Sequence, residues 1–503
     1  MNALSGGLAA NPSLPSRLVD RLIATADEEL ALELAYRSDL TERQAAALVA
    51  RYPGTGVPLA RAGRLTPGQV DPAELPDTAL ALLDEGAGPP EWARLFTQDA
   101  DTGRRVRLAA CPGLPPDVVA ALADDHEVEV VAELALSAPA EVAVRLAGHP
   151  HAEVRCAVAG NENTPPDSLV ALLTGEGLEP ARHCLVCDTV PVPFVHDPGC
   201  PSPDCDLPPG ADCDGGHAST LLATRERALR NPAVPGEVVV RFAGDPVFWI
   251  RELVAAHPRL PADAGTPLAA DPSPAVRGAL ARNPVIGTDL MRTLSADADP
   301  AVRRELAHNP RLPLDLLAEL TGRFRSGCGP LPRVASASPA EVARLAASPH
   351  AGLRALVAAR DDLPAATRDA LAADPDAQVA KNVAPHPGLD EALLRRMLER
   401  HGERVAARVA ANPGATPLLL AELTRLLPGA RKALRVVARH PAAPAGALEA
   451  CLDDRQARPL AAGHPRLPVP RILALLDDGD ERVVEAAAAN SSLPVQEMER
   501  LVP

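Results

Sequence analysis

Aromatic residues are scarce in this chain of 503 residues. Only 2% of the sequence is Phe, Trp or Tyr, although 47% is hydrophobic, so a core has to be built mainly from Leu, Val and Ala. Strands favour aromatic and β-branched residues. The composition therefore favours closely packed helices over a β-sandwich.

Positive charge is also in short supply. Lys and Arg total 50 against 66 Asp and Glu, which gives a formal net charge of −16. Proteins that bind nucleic acid usually carry a basic stripe on one face. We therefore expect no nucleic acid as the main partner.

Long hydrophobic runs are missing as well. No stretch of about 18 apolar residues is free of charge and proline, and a membrane-spanning helix needs such a stretch. Residues 1–15 lack a basic segment followed by an apolar run, so no signal peptide is expected. We expect a cytoplasmic protein that has no contact with membranes. In that compartment the nine cysteines would be reduced or bound to metal.

Common catalytic motifs are absent from the sequence. It contains no Gly-rich phosphate loop, no Gly-x-Ser-x-Gly elbow and no His-Glu-x-x-His motif. Several histidines instead occupy one recurring position immediately before proline: His257, His386, His440 and His464. A residue that recurs with a repeat favours a structural role, and we expect a non-catalytic protein.

What the chain does contain is one phrase that recurs every 26 residues. An Asn-Pro or His-Pro pair begins at each of four evenly spaced positions: Asn231, His257, Asn283 and Asn309. A Val-Arg or Ile-Arg pair precedes each of the last three by six or seven residues. A period between about 20 and 50 residues indicates a solenoid, in which each repeat contacts its neighbours.

The unit from Asp271 to Leu294 shows how the phrase predicts local structure. Asp271 and Pro272 suit the first positions of a helix, and the apolar residues after them recur at helical spacing. Asn283 tolerates the left-handed conformation that ends a helix, and Pro284 stops it. A turn and a shorter second helix follow. Neither helix can bury its apolar face alone, so the stacking of units supplies the core.

Copies of the phrase cover most of the chain and predict three parts. Residues 1–173 form an N-terminal repeat block, residues 174–220 a Cys-rich insert, and residues 221–503 a C-terminal repeat block with a short break near 322–332. The composition of the insert changes to Pro, Gly, Asp and Cys, with little helical periodicity.

The recurring arginines, Arg251, Arg277 and Arg303, allow two interpretations. They could form a ladder that grips an acidic ligand. Alternatively, each could pair with an Asp or a helix-end carbonyl of its own or the next repeat. We favour the second interpretation, because a residue that recurs at the same position of successive repeats usually has a structural role within or between the repeats.

The full phrase is Asp-Pro…Val-Arg…Leu-Ala-x-Asn-Pro-x-Leu-Pro…Leu-Leu-x-x-Leu, and it resembles the leucine-rich repeat variant family. The match is best between Val302 and Leu320. The resemblance implies that family's fold, a right-handed superhelix of alternating α-helices and 3-10 helices. The unit is a little longer here, which leaves room for a second helix that is fully α, and HEAT-like helical pairs are the neighbouring possibility. The predicted fold class is all-α, a right-handed α-solenoid.

The insert holds five of the nine cysteines. Cys184 and Cys187 form one chelating pair, and Cys200 and Cys205, separated from it by twelve residues, form another. Two such pairs supply four thiolates in a tetrahedron, which is what structural zinc needs. The residues between them offer almost nothing to pack, and metal binding can supply that folding energy. These four cysteines are the predicted zinc ligands.

The end of the insert suggests substitutes and a second metal. Cys213-Asp214-Gly215-Gly216-His217 is similar to the end of the CDGSH motif, in which three Cys and one His hold a 2Fe–2S cluster. Cys213 and His217 are therefore alternative ligands, and an iron–sulfur cluster is the alternative cofactor. Some leucine-rich repeat variant proteins also carry a 4Fe–4S cluster in an N-terminal domain, whereas the cysteines here interrupt the array.

Two functions follow from these features. The first is a non-catalytic scaffold whose concave face binds a protein partner and whose insert holds structural zinc. The second is a regulatory protein whose iron–sulfur cluster responds to redox state and changes the array or its partner.

Overall fold

The computed structural model describes residues 3–197, 199–200, 207, 211–321, 331–426 and 430–502. Most of the predicted break near 322–332 lies outside these residues. By contacts the chain divides into two compact units, one formed by Thr66–Leu320 and the other by Met1–Leu65 together with Thr321–Pro503. The three sequence blocks and their boundaries stay a prediction.

The unit formed by Thr66–Leu320 consists of helices and one small hairpin. Its helices are α6 (Pro76–Asp84), α7 (Pro90–Phe96), α8 (Thr102–Ala110), α9 (Pro116–Ala123), α10 (Val128–Ala135), α11 (Ala140–Ala147), α12 (Ala152–Gly160), α13 (Pro166–Thr174), α14 (Leu185–Thr189), α15 (Ala218–Arg230), α16 (Gly236–Val239), α17 (Phe248–Ala256), α18 (Gly265–Ala269), α19 (Pro274–Arg282), α20 (Thr288–Ser295), α21 (Pro300–Ala307) and α22 (Leu314–Thr321). The hairpin pairs β1 (Phe194–Val195) with β2 (Asp212–Cys213).

The other unit is helical throughout its described residues. Before residue 66 it has α1 (Ala3–Ala10), α2 (Ser16–Thr25), α3 (Glu28–Ala35), α4 (Glu42–Arg51) and α5 (Gly56–Arg61). After residue 330 it has α23 (Pro332–Ala335), α24 (Pro339–Ala346), α25 (Ala351–Val357), α26 (Ala365–Ala372), α27 (Ala377–Val383), α28 (Glu391–His401), α29 (Glu403–Ala410), α30 (Pro417–Leu426), α31 (Arg431–Val437), α32 (Ala445–Cys451), α33 (Arg458–Ala462), α34 (Val469–Leu475), α35 (Glu481–Ala488) and α36 (Val495–Leu501).

The second helix of most repeats is an α-helix, as the longer unit allowed. Short 3-10 helices occur at Pro53–Thr55, Pro67–Gln69, Val240–Phe242 and Ala262–Ala264. The all-α repeat fold is confirmed, and the handedness of the stack stays a prediction. None of the helices in the described part of the chain has both the length and the apolar character that crossing a bilayer requires.

The end of the first helix α19 differs from the sequence prediction. Asn283 follows α19 in an extended conformation (φ −67°, ψ 123°), not in the left-handed one. The residue before a proline is pushed towards extended backbone, so Pro284 imposes this geometry. The extended stop leaves carbonyl groups at the helix end without intrahelical partners.

The Asn side chain of the next repeat satisfies those carbonyls. Asn309 Nδ2 donates to Ala281 O and to Asn283 O, each at 2.8 Å. Its Oδ1 accepts from the backbone N–H of Arg311 at 2.9 Å. The same pair of donations to the preceding repeat recurs at other positions: Asn11, Asn161, Asn283, Asn412 and Asn490. We call this series the Asn ladder.

Histidine performs the same task where it replaces Asn. His257 Nε2 lies 3.3 Å from Asn231 O, and its Nδ1 accepts from the Arg259 N–H at 3.1 Å. One ring nitrogen thus donates while the other accepts, which a neutral imidazole does. Burial lowers the pKa of His257 and so favours the neutral form.

Two recurring arginines pair between repeats and Arg303 donates to the Asp297 carbonyl of its own repeat, as the structural interpretation predicted. Arg277 holds Asp297 through Nε at 2.7 Å and through Nη2 at 3.1 Å, and Arg251 holds Asp271 in the same way. The hydrogen bond from Arg277 lowers the pKa of Asp297. Asp271 is therefore a partner of the preceding arginine and not the N-cap, which is Ser273.

The first repeat packs on the last repeat. Helix α1 packs against α35, and Asn11 Nδ2 donates to Ala488 O at 2.9 Å and to Asn490 O at 2.8 Å. A Cβ at Gly7 would lie 2.3 Å from Glu485 O, so this contact requires glycine. The Asn ladder therefore continues from the end of the chain to its beginning.

We predict that the Asn ladder contributes strongly to stability. Asn309 is fully buried, and Asn309→Ala leaves two buried carbonyls unpaired, which should cost about 2–4 kcal/mol. Asn309→His should cost less, because His fills the same position elsewhere. Urea unfolding followed by circular dichroism measures both variants. Equal losses for Ala and His would contradict a hydrogen-bonding role.

Candidate metal centre

The predicted metal-binding insert lies between α13 and α15. Cys184 is the residue before α14, and Cys187 lies within that helix. Cys213 ends β2, where it pairs with Phe194 of β1. His217 is the residue before α15. Three separate elements thus carry the candidate ligands to one place.

Four of the predicted residues converge. The ligand atoms of Cys184, Cys187, Cys213 and His217 all lie within 4.8 Å of one another. His217 Nδ1 is 3.5 Å from Cys213 Sγ and 3.9 Å from Cys187 Sγ. A tetrahedral zinc ion with Zn–S bonds of about 2.3 Å and Zn–N bonds of about 2.0 Å separates its ligand atoms by about 3.5–3.8 Å. The group therefore fits one metal ion with only a small contraction.

The local backbone explains how the Cys213–His217 segment folds back on itself. Gly215 has φ 97°, and His217 has φ 55°, the one positive value among the described residues other than glycine. The Asp214 carboxylate accepts from the Gly216 N–H at 2.8 Å and closes the turn. Left-handed backbone at a bulky residue is strained and persists where surrounding contacts hold it. Here it brings the His217 ring back to the Cys213 thiol.

Backbone N–H groups already point at the sulfur atoms. The Cys184 N–H donates to Cys187 Sγ at 3.1 Å, and the Gly215 N–H donates to Cys213 Sγ at 3.3 Å. Such donors stabilise thiolate ligands. Burial raises the pKa of the Cys184 thiol to about 12. A bound cation displaces this proton, because the thiolate is the form that binds metal.

The preferred ligand set of the sequence analysis is only half represented. Cys184 and Cys187 belong to the group, and Cys213 and His217, the predicted substitutes, complete it. Cys200 lies outside this group, and Cys205 lies outside the described residues. The β1–β2 pairing brings the chain back beside Cys184 at residue 213. Cys200 lies between the two strands, before the chain comes back. No spacing rule in the sequence specified this register.

Histidines and acids around the group anchor it to α12. Asp188 joins two rings, since its carboxylate lies 3.1 Å from His151 Nε2 and 3.1 Å from His183 Nδ1. His151 Nδ1 lies 3.0 Å from the carboxylate of Glu153, which also accepts from Thr220 Oγ1 at 3.1 Å. These residues were not singled out as a cluster from the sequence, because their partners come from three separate segments.

We predict that metal content depends on the four converged residues. Cys213→Ser and His217→Ala should each reduce bound metal by at least about tenfold, because each removes one of four ligands. Cys200→Ser and Cys205→Ser, within the same insert, are the matched controls and should retain it. Elemental analysis of the purified variants measures this. If Cys200→Ser and Cys205→Ser lost metal while Cys213→Ser retained it, the ligands would be the four cysteines that the sequence analysis preferred.

Comparison with models of known families returned no match, and comparison with curated proteins returned none. Among solved structures, a leucine-rich repeat variant with a novel repetitive structural motif is similar, at 20% identity and a TM-score of 0.30, over 54% of this chain and 87% of that chain. An engineered protein matches at 16% identity and a TM-score of 0.14 over 99% of each chain. A Pds5–Scc1 complex structure matches at 11% identity and a TM-score of 0.16, over 96% of this chain and 68% of that one.

The all-α repeat fold of this chain is evident from its own helices, the Asn ladder and the Arg–Asp pairs. The leucine-rich repeat variant is the same kind of protein that the recurring phrase resembles.

Proposed function

We propose that this protein is a non-catalytic scaffold for protein binding whose insert holds one structural zinc ion. The convergence of Cys184, Cys187, Cys213 and His217 within 4.8 Å carries the metal part of the proposal. Three thiolates and one imidazole are a common ligand set for structural zinc, which closes its tetrahedron with protein atoms alone.

The spacing of the ligand atoms favours a single ion over a cluster. A 2Fe–2S cluster distributes its four ligands over two iron atoms, so ligands of different irons lie farther apart than ligands of one ion. Here all four atoms fit within 4.8 Å. The second candidate, a redox-responsive iron–sulfur protein, is supported by the ligand composition, because three Cys and one His are the set of the CDGSH motif.

Metal analysis of the full-length protein, purified without air, tests the two candidates. We expect a colourless protein with about one zinc ion per chain, as the four-ligand set holds one ion. Visible absorbance that bleaches on reduction, together with iron and sulfide in place of zinc, would overturn the zinc proposal in favour of the redox protein.

The binding part of the proposal is supported by the helix surfaces that take no part in the bonds between repeats. The repeated Asn and Arg side chains form their hydrogen bonds within the stack, so the outer faces of the first helices remain accessible to a partner. Between α17, α19 and α21 these faces form a groove of about 830 Å³. Its floor is Gly278, Ala275 and Ala279, where the small side chains of α19 leave room between the neighbouring helices.

Aromatic side chains stand near this groove on α17. Phe248 and Trp249 are 45% and 41% exposed and contact each other edge to face at 5.4 Å. Trp249 occupies the same position in its repeat as Ala275 does in the next, 26 residues later. Exposed Trp is enriched among residues that dominate protein interfaces. We assign the partner surface to this face, and its concave placement stays a prediction of the solenoid fold.

We predict that a protein partner contacts the groove. A photo-reactive residue at Ala279, introduced in cells that produce the protein, should form one discrete protein adduct. The same residue at Asp289, whose side chain is fully exposed on α20, should not. With the partner identified and purified, Trp249→Ala should weaken binding by about tenfold or more. Identical adducts at both positions, or unchanged affinity of the variant, would contradict this assignment.

A further inference from the structure

One junction in the array differs from the regular ones. In neighbouring regular repeats, Asn309 reaches back 26 residues to Asn283. Asn231, at the end of α15, reaches back 70 residues to Asn161, because the insert lies between the two repeats. Helices α12 and α15 nevertheless pack on each other as α19 and α21 do. The insert therefore interrupts the series of repeats in the sequence, but the helices on either side of it still pack on each other.

The Asn ladder is weaker at this junction. Asn231 Nδ2 donates to Asn161 O at 3.0 Å. Asn283 and Asn309 each donate to two carbonyls of the preceding repeat. Among the described contacts the junction between α12 and α15 has one such bond, as the junction at His257 does, whereas the junctions at Asn283 and Asn309 have two.

The Arg–Asp pair is also missing here. Arg277 pairs with the Asp that lies 20 residues later, but the residue 20 positions after Arg155 is Gly175. Arg155 Nη1 donates instead to Glu179 O of the insert at 2.7 Å. Burial lowers the pKa of this guanidinium, the reverse of the effect on Arg277 beside its carboxylate. The insert backbone thus takes the place of a carboxylate that the repeat normally supplies.

Further contacts tie the insert to the start of α12, and one bond joins α12 directly to α15. The Ala152 N–H, at the start of α12, donates to His183 O at 2.9 Å, and the Arg182 N–H donates to Pro150 O at 2.8 Å. Across the junction, Thr220 Oγ1 of α15 donates to Glu153 of α12 at 3.1 Å. The insert therefore stands where contacts of the regular repeat are reduced.

The candidate metal ligands lie on both sides of this junction. Cys184 is fully buried beside Ala152 of α12 in a small apolar cluster that includes Val186 and Cys213. His217 immediately precedes α15. An ion bound by Cys184 and His217 would connect the starts of the two helices. The cluster has four buried members with six partly buried hydrophobic residues packed against them, which is a small core for a segment of this length.

We propose that metal binding in the insert latches α12 to α15, so that occupancy of the metal centre controls the cohesion of the array at this one junction. The proposal rests on the proposed metal function and adds its regulation. Removal of the ion frees the insert from α12, and Arg155 then loses the Glu179 carbonyl. Conditions that remove zinc from thiolates, such as oxidation by a disulfide-forming oxidant or a competing chelator, open the junction.

Amide hydrogen exchange on the full chain tests the latch. Zinc-loaded protein is compared with protein treated with a chelator, and metal content is measured on the same samples. We expect exchange in α12 and α15 to become at least about tenfold faster without zinc. Exchange in α19 and α21, a regular junction in the same unit, should stay unchanged. His217→Ala should resemble the chelated protein, and Cys200→Ser should resemble the zinc-loaded one.

Arg155→Met separates the latch from the metal site. This variant should retain zinc and show faster exchange in α12 and α15, because it loses the bond to Glu179 O of the insert together with the bonds to the His149 and Gly148 carbonyls before α12. If zinc were released without any change of amide exchange in α12 and α15, the proposed latch would be wrong and the proposed metal function would stand. A uniform loss of protection that includes α19 and α21 would also overturn it, since the ion would then stabilise the whole unit. A wild-type protein that binds no zinc would overturn the proposed metal function and the latch together.

Discussion

The array depends on carbonyl groups that its own helices cannot satisfy. First helices such as α17 and α19 end at an extended His or Asn before proline, and this ending leaves backbone oxygens in the interior of the stack without intrahelical partners. An unpaired buried carbonyl costs about 1–3 kcal/mol. The next repeat supplies the donors, so each repeat needs its successor. Cooperation between neighbours thus comes from polar bonds of fixed geometry as well as from burial of Leu, Val and Ala.

The same requirement is met where α1 packs on α35. In many solenoids the terminal repeats carry a polar outer face. Here the first repeat provides Asn11 to the carbonyls of the last repeat, in the geometry of an internal junction. Gly7 permits the close approach of α1 to α35. In this unit the terminal repeats therefore complete each other.

At the insert, the bonds between neighbouring repeats include a contact to a segment outside the repeat. Asn231 forms one ladder bond and Arg155 has no aspartate, while the insert occupies the space beside both helices. A chain segment with few apolar residues gains little from burial, whereas a metal ion joins distant ligands with strong bonds. Metal chemistry and repeat cohesion consequently meet at the same point, which is the physical basis of the proposed latch.

The sequence by itself determined the 26-residue period, the helical character of each unit, the pairing role of the recurrent arginines and the position of the segment that carries the candidate metal ligands. These follow from local patterns, because apolar spacing and proline positions act within a few residues. Tertiary structure decided that Asn283 is extended and that Asp271 serves Arg251 instead of a helix end. It also decided that Cys213 and His217 join Cys184 and Cys187. Those outcomes depend on the register between repeats and between β1 and β2, and register is set by contacts between residues far apart in the chain.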